Sequence, residues 1–252
     1  MASDACAQLP PVSSDYTPKG SYETIAGLKT YVIGPQSPSK AIIDIYDVFG
    51  LAPQTLQGAD RLSASLNALV IVPDFFEGVY AQHSWLPPDT DEKKEALAKF
   101  RSEQAVIPRN VDKLIEVRKV ASERWPSVGD HWGVFGLCWG GKVGVLACGK
   151  DNKGPERVFR VSGTAHPGGL AAEDAEALTV PHILLASPGE PADVVAQCKE
   201  ILTKPGKIGV VETYEDMFHG WMGARAKLED EKNNSEYKRG YNQVAEFYAK
   251  YL

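Results

Sequence analysis

Cysteine is scarce in this 252-residue chain and nowhere spaced for metal. Cys6, Cys138, Cys148 and Cys198 form no C-x-x-C pair, so neither a zinc ribbon nor a redox dithiol is indicated, and no metal or other cofactor is expected. Long apolar runs are missing too: no stretch approaches the ~18 consecutive apolar residues of a membrane span. Positive charge is in deficit. With 27 Lys and Arg against 33 Asp and Glu, the net charge is −6, which points away from nucleic acid and anionic membrane as partners. Met1 to Pro11 has neither a basic start nor an apolar core, so no secretory signal is read there and a cytoplasmic protein with reduced thiols is expected. There is no internal repeat and no dividing linker. Residues 1–19, with Pro10, Pro11 and Pro18, read as an N-terminal arm, and residues 20–252 as a single domain.

What is present is a chain long enough to bury a sheet between helices, with 43% hydrophobic and 24% charged residues. Alternation around Ala26-Gly27 gives two antiparallel strands, Tyr22 to Ile25 and Leu28 to Ile33. Short apolar runs then read as strands at Ala41 to Tyr46, Ala68 to Val72, His131 to Phe135, Arg157 to Thr164, His182 to Ser187 and Lys207 to Thr213. Helical periodicity intervenes over Pro53 to Leu66, Asp91 to Ser102, Asn110 to Arg124, Ala192 to Thr203 and Tyr237 to Tyr251. In the third of these the inward set is Val111, Leu114, Ile115, Val117 and Ala121, while Arg118 lies near that face and must reach out to solvent. Strands alternating with helices imply an α/β fold with a mostly parallel sheet and helices on both faces. Residues 77–107 are the irregular part, an aromatic loop around Tyr80 and Trp85 and then a charged helix, fit for a lid or substrate wall.

Phe135-Gly136-Leu137-Cys138-Trp139-Gly140-Gly141-Lys142 organises the chain. A buried run precedes it and a packable helix starts after it, so G-x-C-x-G-G has the form of a nucleophile elbow with Cys in place of Ser. The strained turn needs neighbours nearly free of side chain, which Gly136 and Gly140 supply. The sulfur then faces the first turn of a helix, where unpaired N–H groups favour a thiolate and hold an oxyanion. The oxyanion donors expected are the backbone N–H groups of Trp139 and of Val48, the latter just past the strand Ala41 to Tyr46. Cys148, ten residues on, reads as core.

The order nucleophile, acid, histidine is that of the α/β-hydrolases. Here it gives Cys138, an acid in the loop after Ser187, and His219 in the loop after the last strand. Imidazole has the pKa to take the thiol proton and return it, and a carboxylate fixes its tautomer. Asp47 and His166 each follow a strand's carboxyl end, where ligands collect in open α/β sheets. For Asp47 the alternative is a solvated loop acid or helix cap; for His166, a turn histidine. His83 reads as a solvated loop residue.

Asp47-Val48-Phe49-Gly50, Pro73-Asp74-Phe75, Gly136-Leu137-Cys138-Trp139-Gly140-Gly141 and Phe218-His219-Gly220-Trp221 together resemble the dienelactone hydrolase family, of the fungal kind, from about Gly20 to Leu252. That resemblance implies an α/β-hydrolase domain without a large cap, a Cys–His–Asp triad, no metal, and hydrolysis of the enol lactone 4-carboxymethylenebut-2-en-4-olide to maleylacetate. Two positions depart from the pattern. Where the family has the triad Asp, this chain has Glu190, with Asp193 three residues on as the other candidate. Dienelactone hydrolases proper also carry Glu where Asp47 stands. The family's carboxylate-binding arginine is replaced by a loop holding Tyr80 and Gln82, which leaves Arg225 as the anion contact, with an ordinary surface arginine as the alternative. Narrow dienelactone specificity is therefore not expected.

Three readings follow: a carboxylic-ester or lactone hydrolase working through a thioester acyl-enzyme; a thioesterase or other acyl-transfer enzyme on the same residues; and a non-catalytic small-molecule binding protein. Glu190 is preferred over Asp193 as the acid, because Pro191 suits a helix's first turn and directs Asp193 to that turn. The partner expected is a small ester or lactone, and the protein a monomer or weak homodimer.

Overall fold

The computed structural model describes residues 14–154 and 158–252. Most of the expected arm, and Arg157 at the start of one expected strand, lie outside these. Eight strands form one sheet in the order β1-β2-β4-β3-β5-β6-β7-β8: β1 Ser21–Ile25, β2 Leu28–Ile33, β3 Ala41–Ile45, β4 Leu69–Pro73, β5 Trp132–Leu137, β6 Val161–Ala165, β7 His182–Ala186 and β8 Gly209–Thr213. β1 and β2 pair antiparallel, β2 pairs antiparallel with β4, and every other pair is parallel. β3 to β7 are buried along their whole length, as strands covered on both faces must be, and apolar residues dominate them although Asp44, Ser162, Thr164 and His182 are buried among them.

Seven α-helices connect them: α1 Pro53–Leu66, α2 Asp91–Glu103, α3 Ile107–Arg124, α4 Trp139–Ala147, α5 Ala172–Ala177, α6 Ala192–Leu202 and α7 Glu231–Tyr251. α1 opens on Pro53 and ends at Asn67 in the left-handed region, φ 48°, a conformation asparagine tolerates. Leu56, Ala59, Leu62 and Leu66 form its buried face. Asp60 on the same helix accepts from Tyr16 Oη at 2.6 Å, the Lys19 N–H at 3.0 Å and Tyr31 Oη at 2.5 Å. These bonds tie residues 16–19 to α1 and β2.

Two helices begin before the periodicity shows them. α3 starts at Ile107, with Pro108 in its first turn, where a missing N–H costs nothing. α7 starts at Glu231 because Asp230 caps it, accepting the Asn233 N–H at 2.7 Å. Within α3, Leu114, Val117 and Ala121 are buried as expected, but Ile115 is 40% exposed. Arg118 is half-buried. Its guanidinium lies 4.6 Å from the Trp132 ring centroid and Nε donates to Val158 O at 3.1 Å, so on its way to the surface it is held by a cation–π contact. α5 has no counterpart in the sequence reading; six residues are too few for a periodic signal.

Candidate active site

The turn from β5 into α4 puts Cys138 at φ 52° and ψ −113°, a strained backbone for a residue with a side chain. Its surroundings hold it there. The Cys138 N–H donates to Ala165 O at 3.1 Å, and Cys138 O accepts from Gly141 at 3.1 Å and Gly168 at 3.0 Å. The neighbouring glycines are steric necessities: a Cβ on Gly136 would stand 2.3 Å from Gly140 C, and one on Gly140 2.2 Å from Ile45 O. Close contact with backbone cannot be relieved by a rotamer change.

His219 and Glu190 reach this turn from two other strand ends. His219 follows β8, with Nε2 3.1 Å from Cys138 Sγ and Nδ1 2.6 Å from Glu190 Oε1. Glu190 follows β7, and its Oε2 accepts the Ser187 N–H at 2.5 Å. All three side chains are buried. A hydrogen bond from Nδ1–H to the carboxylate leaves the Nε2 lone pair facing the thiol. Asp193, the other candidate acid, is exposed in the first turn of α6, a favourable place for negative charge.

Asp47, His166 and Arg225 surround this trio. Asp47 is neither solvated nor a helix cap: it is 2% exposed. Its Oδ1 accepts the Phe49 N–H and its Oδ2 the Ala224 N–H, both at 2.9 Å. Burial raises its pKa, opposed by those two N–H groups and by the charges of Arg225 and His219. Arg225 is buried as well, with Nη1 3.4 Å from His219 O and the guanidinium 5.1 Å from the Phe49 ring centroid. His166 is fully buried at φ 38°, and neither ring nitrogen has a hydrogen-bond partner. Its ring meets that of His219 edge-on at 5.3 Å. Burial, then the charges of His219 and Arg225, hold its pKa well below the usual histidine value, so it stands as a neutral wall behind His219.

Tyr80 is placed differently from the substrate-side position expected of it. Its hydroxyl donates to Asp74 Oδ2 at 2.8 Å, and Tyr46 Oη donates to the other oxygen of the same carboxylate at 2.9 Å. It lines neither of the two hollows bordered by Cys138. A buried carboxylate recruits donors to offset its desolvation, and Tyr80 serves that need. His83 is exposed, as read.

Val48 borders both of those hollows. One is a narrow recess among Asp47, Phe49, His219 and Arg225; the other, which Trp139 also borders, is a cavity of about 250 Å³ that opens toward α2. Neither Val48 nor Trp139 uses its backbone N–H in a hydrogen bond among the described residues. The Trp139 indole Nε1 donates to Ala105 O at 3.0 Å, clamping α4 to the segment between α2 and α3. Sequence reading missed Gly168, which approaches the sulfur closely, and Leu97 and Phe100 of α2, which wall the cavity. The signal for the last two was their spacing of three in an otherwise charged helix. Among the described residues no group of three or more His, Cys, Asp and Glu is arranged to hold a metal ion, and no helix is long and apolar enough to cross a membrane.

Residues 28–252 match the family described as "Dienelactone hydrolase family". The chain belongs to the dienelactone hydrolase family. An uncharacterized AIM2 family protein of Schizosaccharomyces pombe is 34% identical over 241 residues, covering 94% of this chain and 93% of that one. A carboxymethylenebutenolidase homolog of Xenopus tropicalis is 31% identical over 153 residues, 57% of this chain and 56% of its own length. The crystal structure of a dienelactone hydrolase from Anabaena variabilis superimposes with a TM-score of 0.64 at 14% identity, covering 95% of this chain and all of that one. At that identity the likeness speaks for the fold alone, which is the α/β-hydrolase fold. Dienelactone hydrolase family membership also makes this chain a hydrolase.

Proposed function

We propose that this dienelactone hydrolase family member cleaves a small carboxylic ester or lactone through a thioester acyl-enzyme on Cys138. The observation that carries this is the continuous chain from Glu190 Oε1 to His219 Nδ1 at 2.6 Å and from Nε2 to Cys138 Sγ at 3.1 Å. The carboxymethylenebutenolidase homolog among its relatives agrees with the bond type.

His219 takes the thiol proton as Sγ attacks the carbonyl carbon, and Glu190 stabilises the imidazolium so formed. The carbonyl oxygen, now negative, accepts from the N–H groups of Val48 and Trp139. Collapse expels the alkoxide, which takes the proton from Nε2 and leaves the acyl group on sulfur as a thioester. Water, deprotonated by His219, then attacks the same carbon. The C–S bond breaks, the proton returns to sulfur, and the carboxylic acid departs. His166 keeps the far face of the base free of water and charge.

A panel of lactones, aryl esters and thioesters against the wild type, Cys138→Ser and His219→Ala tests this. Ester or lactone turnover should fall by several orders of magnitude in His219→Ala with the circular dichroism unchanged. A His219→Ala enzyme within about tenfold of wild type refutes the assignment. A panel in which only thioesters turn over shifts the substrate to the acyl-transfer class.

A further inference from the structure

The cavity of about 250 Å³ beside Cys138 is not explained by the ester-cleaving residues. Its wall on the α2 side is Leu97 and Phe100, the only two buried residues of that helix. Two of its lining rings are braced by Phe76: Phe100 meets Phe76 edge-on at 5.1 Å and Trp139 meets it tilted at 4.4 Å between ring centroids. Ala105 and Val48 complete the apolar lining, and no acidic side chain contributes to it. The two cations on its border are not buried in it. Arg101 is exposed to solvent, and Lys142 is ion-paired with Asp174.

The cavity's direction relative to the trio says which part of a substrate enters it. His219 must protonate the leaving alkoxide, so the alcohol half lies on the side of Nε2. On that side the recess among Asp47, Phe49 and Arg225, which His219 borders, has no room for a water-sized group, so the alcohol half stays at its mouth. His219 does not line the cavity, which Cys138 borders together with Trp139 and Gly168. With the oxyanion held between Val48 and Trp139, the remaining substituent on the carbonyl carbon is the acyl chain, and the one hollow with room for it that Cys138, Val48 and Trp139 all border is this cavity.

We infer that this cavity is an acyl-chain site selecting an uncharged hydrocarbon acyl group of about four to eight carbons. The upper size follows from volume: at roughly 30 Å³ for a water-sized group, 250 Å³ takes about eight such groups. The chemistry follows from the lining, because a carboxylate held against Leu97, Phe100 and Trp139 would lose its hydration, while of the two lining cations Arg101 is exposed to solvent and Lys142 is already paired with Asp174. This inference rests on the thiol-ester reading above, so its test has one arm independent of turnover.

In that arm, calorimetry measures binding of unhydrolysable methyl alkyl ketones to the wild-type protein. Affinity should rise roughly threefold per methylene up to about eight carbons and then level off. A chain ended by a carboxylate should bind at least tenfold more weakly. In the second arm, 4-nitrophenyl esters with acyl chains of two to twelve carbons are compared by kcat/KM, beside a series of alkyl acetates that varies the alcohol. The acyl series should peak near six carbons, at tenfold or more over acetate, while the alcohol series stays nearly flat. Leu97→Trp should move the acyl optimum to acetate, and Phe100→Ala should move it to longer chains. Either variant suffices if the other fails to fold. Ketone affinity independent of length, tighter binding of the carboxylated chain, or length selection on the alcohol side alone overturns the inference, whether or not esters are cleaved. Graded ketone binding with no ester cleavage supports the site and refutes the proposed reaction.

Discussion

One carboxylate oxygen of Asp47 accepts the backbone N–H of Ala224 at 2.9 Å, joining two loops that are 177 residues apart in the chain. The other oxygen holds the Phe49 N–H. The loop after β3, which carries Val48, is thereby fastened to the loop that carries His219 and Arg225. Asp47→Ala leaves two buried N–H groups without acceptors, each costing about 1–3 kcal/mol. The expected outcome is a lower urea midpoint together with a kcat reduced roughly 10- to 100-fold, because sub-ångström placement of catalytic groups is lost. Stability and kcat should be measured on the same preparation. An unchanged kcat in a destabilised protein would reduce Asp47 to a fastening of the fold.

The two acids after β7 should rank unequally. Glu190 bonds to His219, whereas Asp193 is exposed at the start of α6. Glu190→Gln is expected to cut activity roughly 10²- to 10⁴-fold, since an amide admits the wrong imidazole tautomer. Asp193→Asn should leave kcat/KM unchanged and cost only a few tenths of a kcal/mol, on the order of a helix-dipole contact. Steady-state kinetics of both variants settles the ranking, and the reverse order would remove Glu190 from the account.

Gly168 offers a sterically sharper test. A methyl group there would stand 3.2 Å from Cys138 Sγ and 3.3 Å from the Trp139 nitrogen. That is the space between the proposed nucleophile and the proposed oxyanion donor. Gly168→Ala should therefore fold normally and lose roughly 10- to 100-fold in kcat/KM across all esters, short and long alike. Wild-type kinetics in this variant would show that the oxyanion lies elsewhere.

Much of this site was legible in sequence because its constraints are local. Gly136 and Gly140 must lack side chains for the backbone at Cys138 to turn, and that requirement is written in the motif itself. His219 and Glu190 were legible because each follows an apolar strand, and parallel strands bring their carboxyl ends to one edge. The side-chain environment was less so. Asp47, Arg225 and His166 are polar residues in loops, for which exposure is the ordinary expectation, and only the tertiary structure shows their burial. Tyr80 bonds to Asp74, a buried carboxylate that also takes Tyr46 just past β3, and that need for donors is not displayed in sequence. Ile115 was misplaced because helical periodicity locates a face but not its limits, and this side chain falls outside the buried part.

Asp44 gives the protein a pH-dependent stability. It lies fully buried near the end of β3, with no side-chain partner for either oxygen. Burial pushes its pKa up to about 8 from an ordinary 3.8. Between those values the folded state holds a proton that the unfolded chain releases, so stability falls as pH rises across that window. The urea midpoint of the wild type should drop between pH 5 and pH 8, and Asp44→Asn should flatten that drop. Parallel curves for the two proteins would contradict the protonated state.

The central claim is that acyl transfer passes through the Cys138 sulfur, and it is tested most directly by catching the intermediate. An ester mixed with the wild type and quenched in acid within milliseconds is read by intact-protein mass spectrometry. The account predicts a mass increase equal to one acyl group, mapped by peptide analysis to Cys138, discharged by hydroxylamine and absent from Cys138→Ala. Turnover by the wild type with no such adduct, or an adduct on another residue, would contradict it.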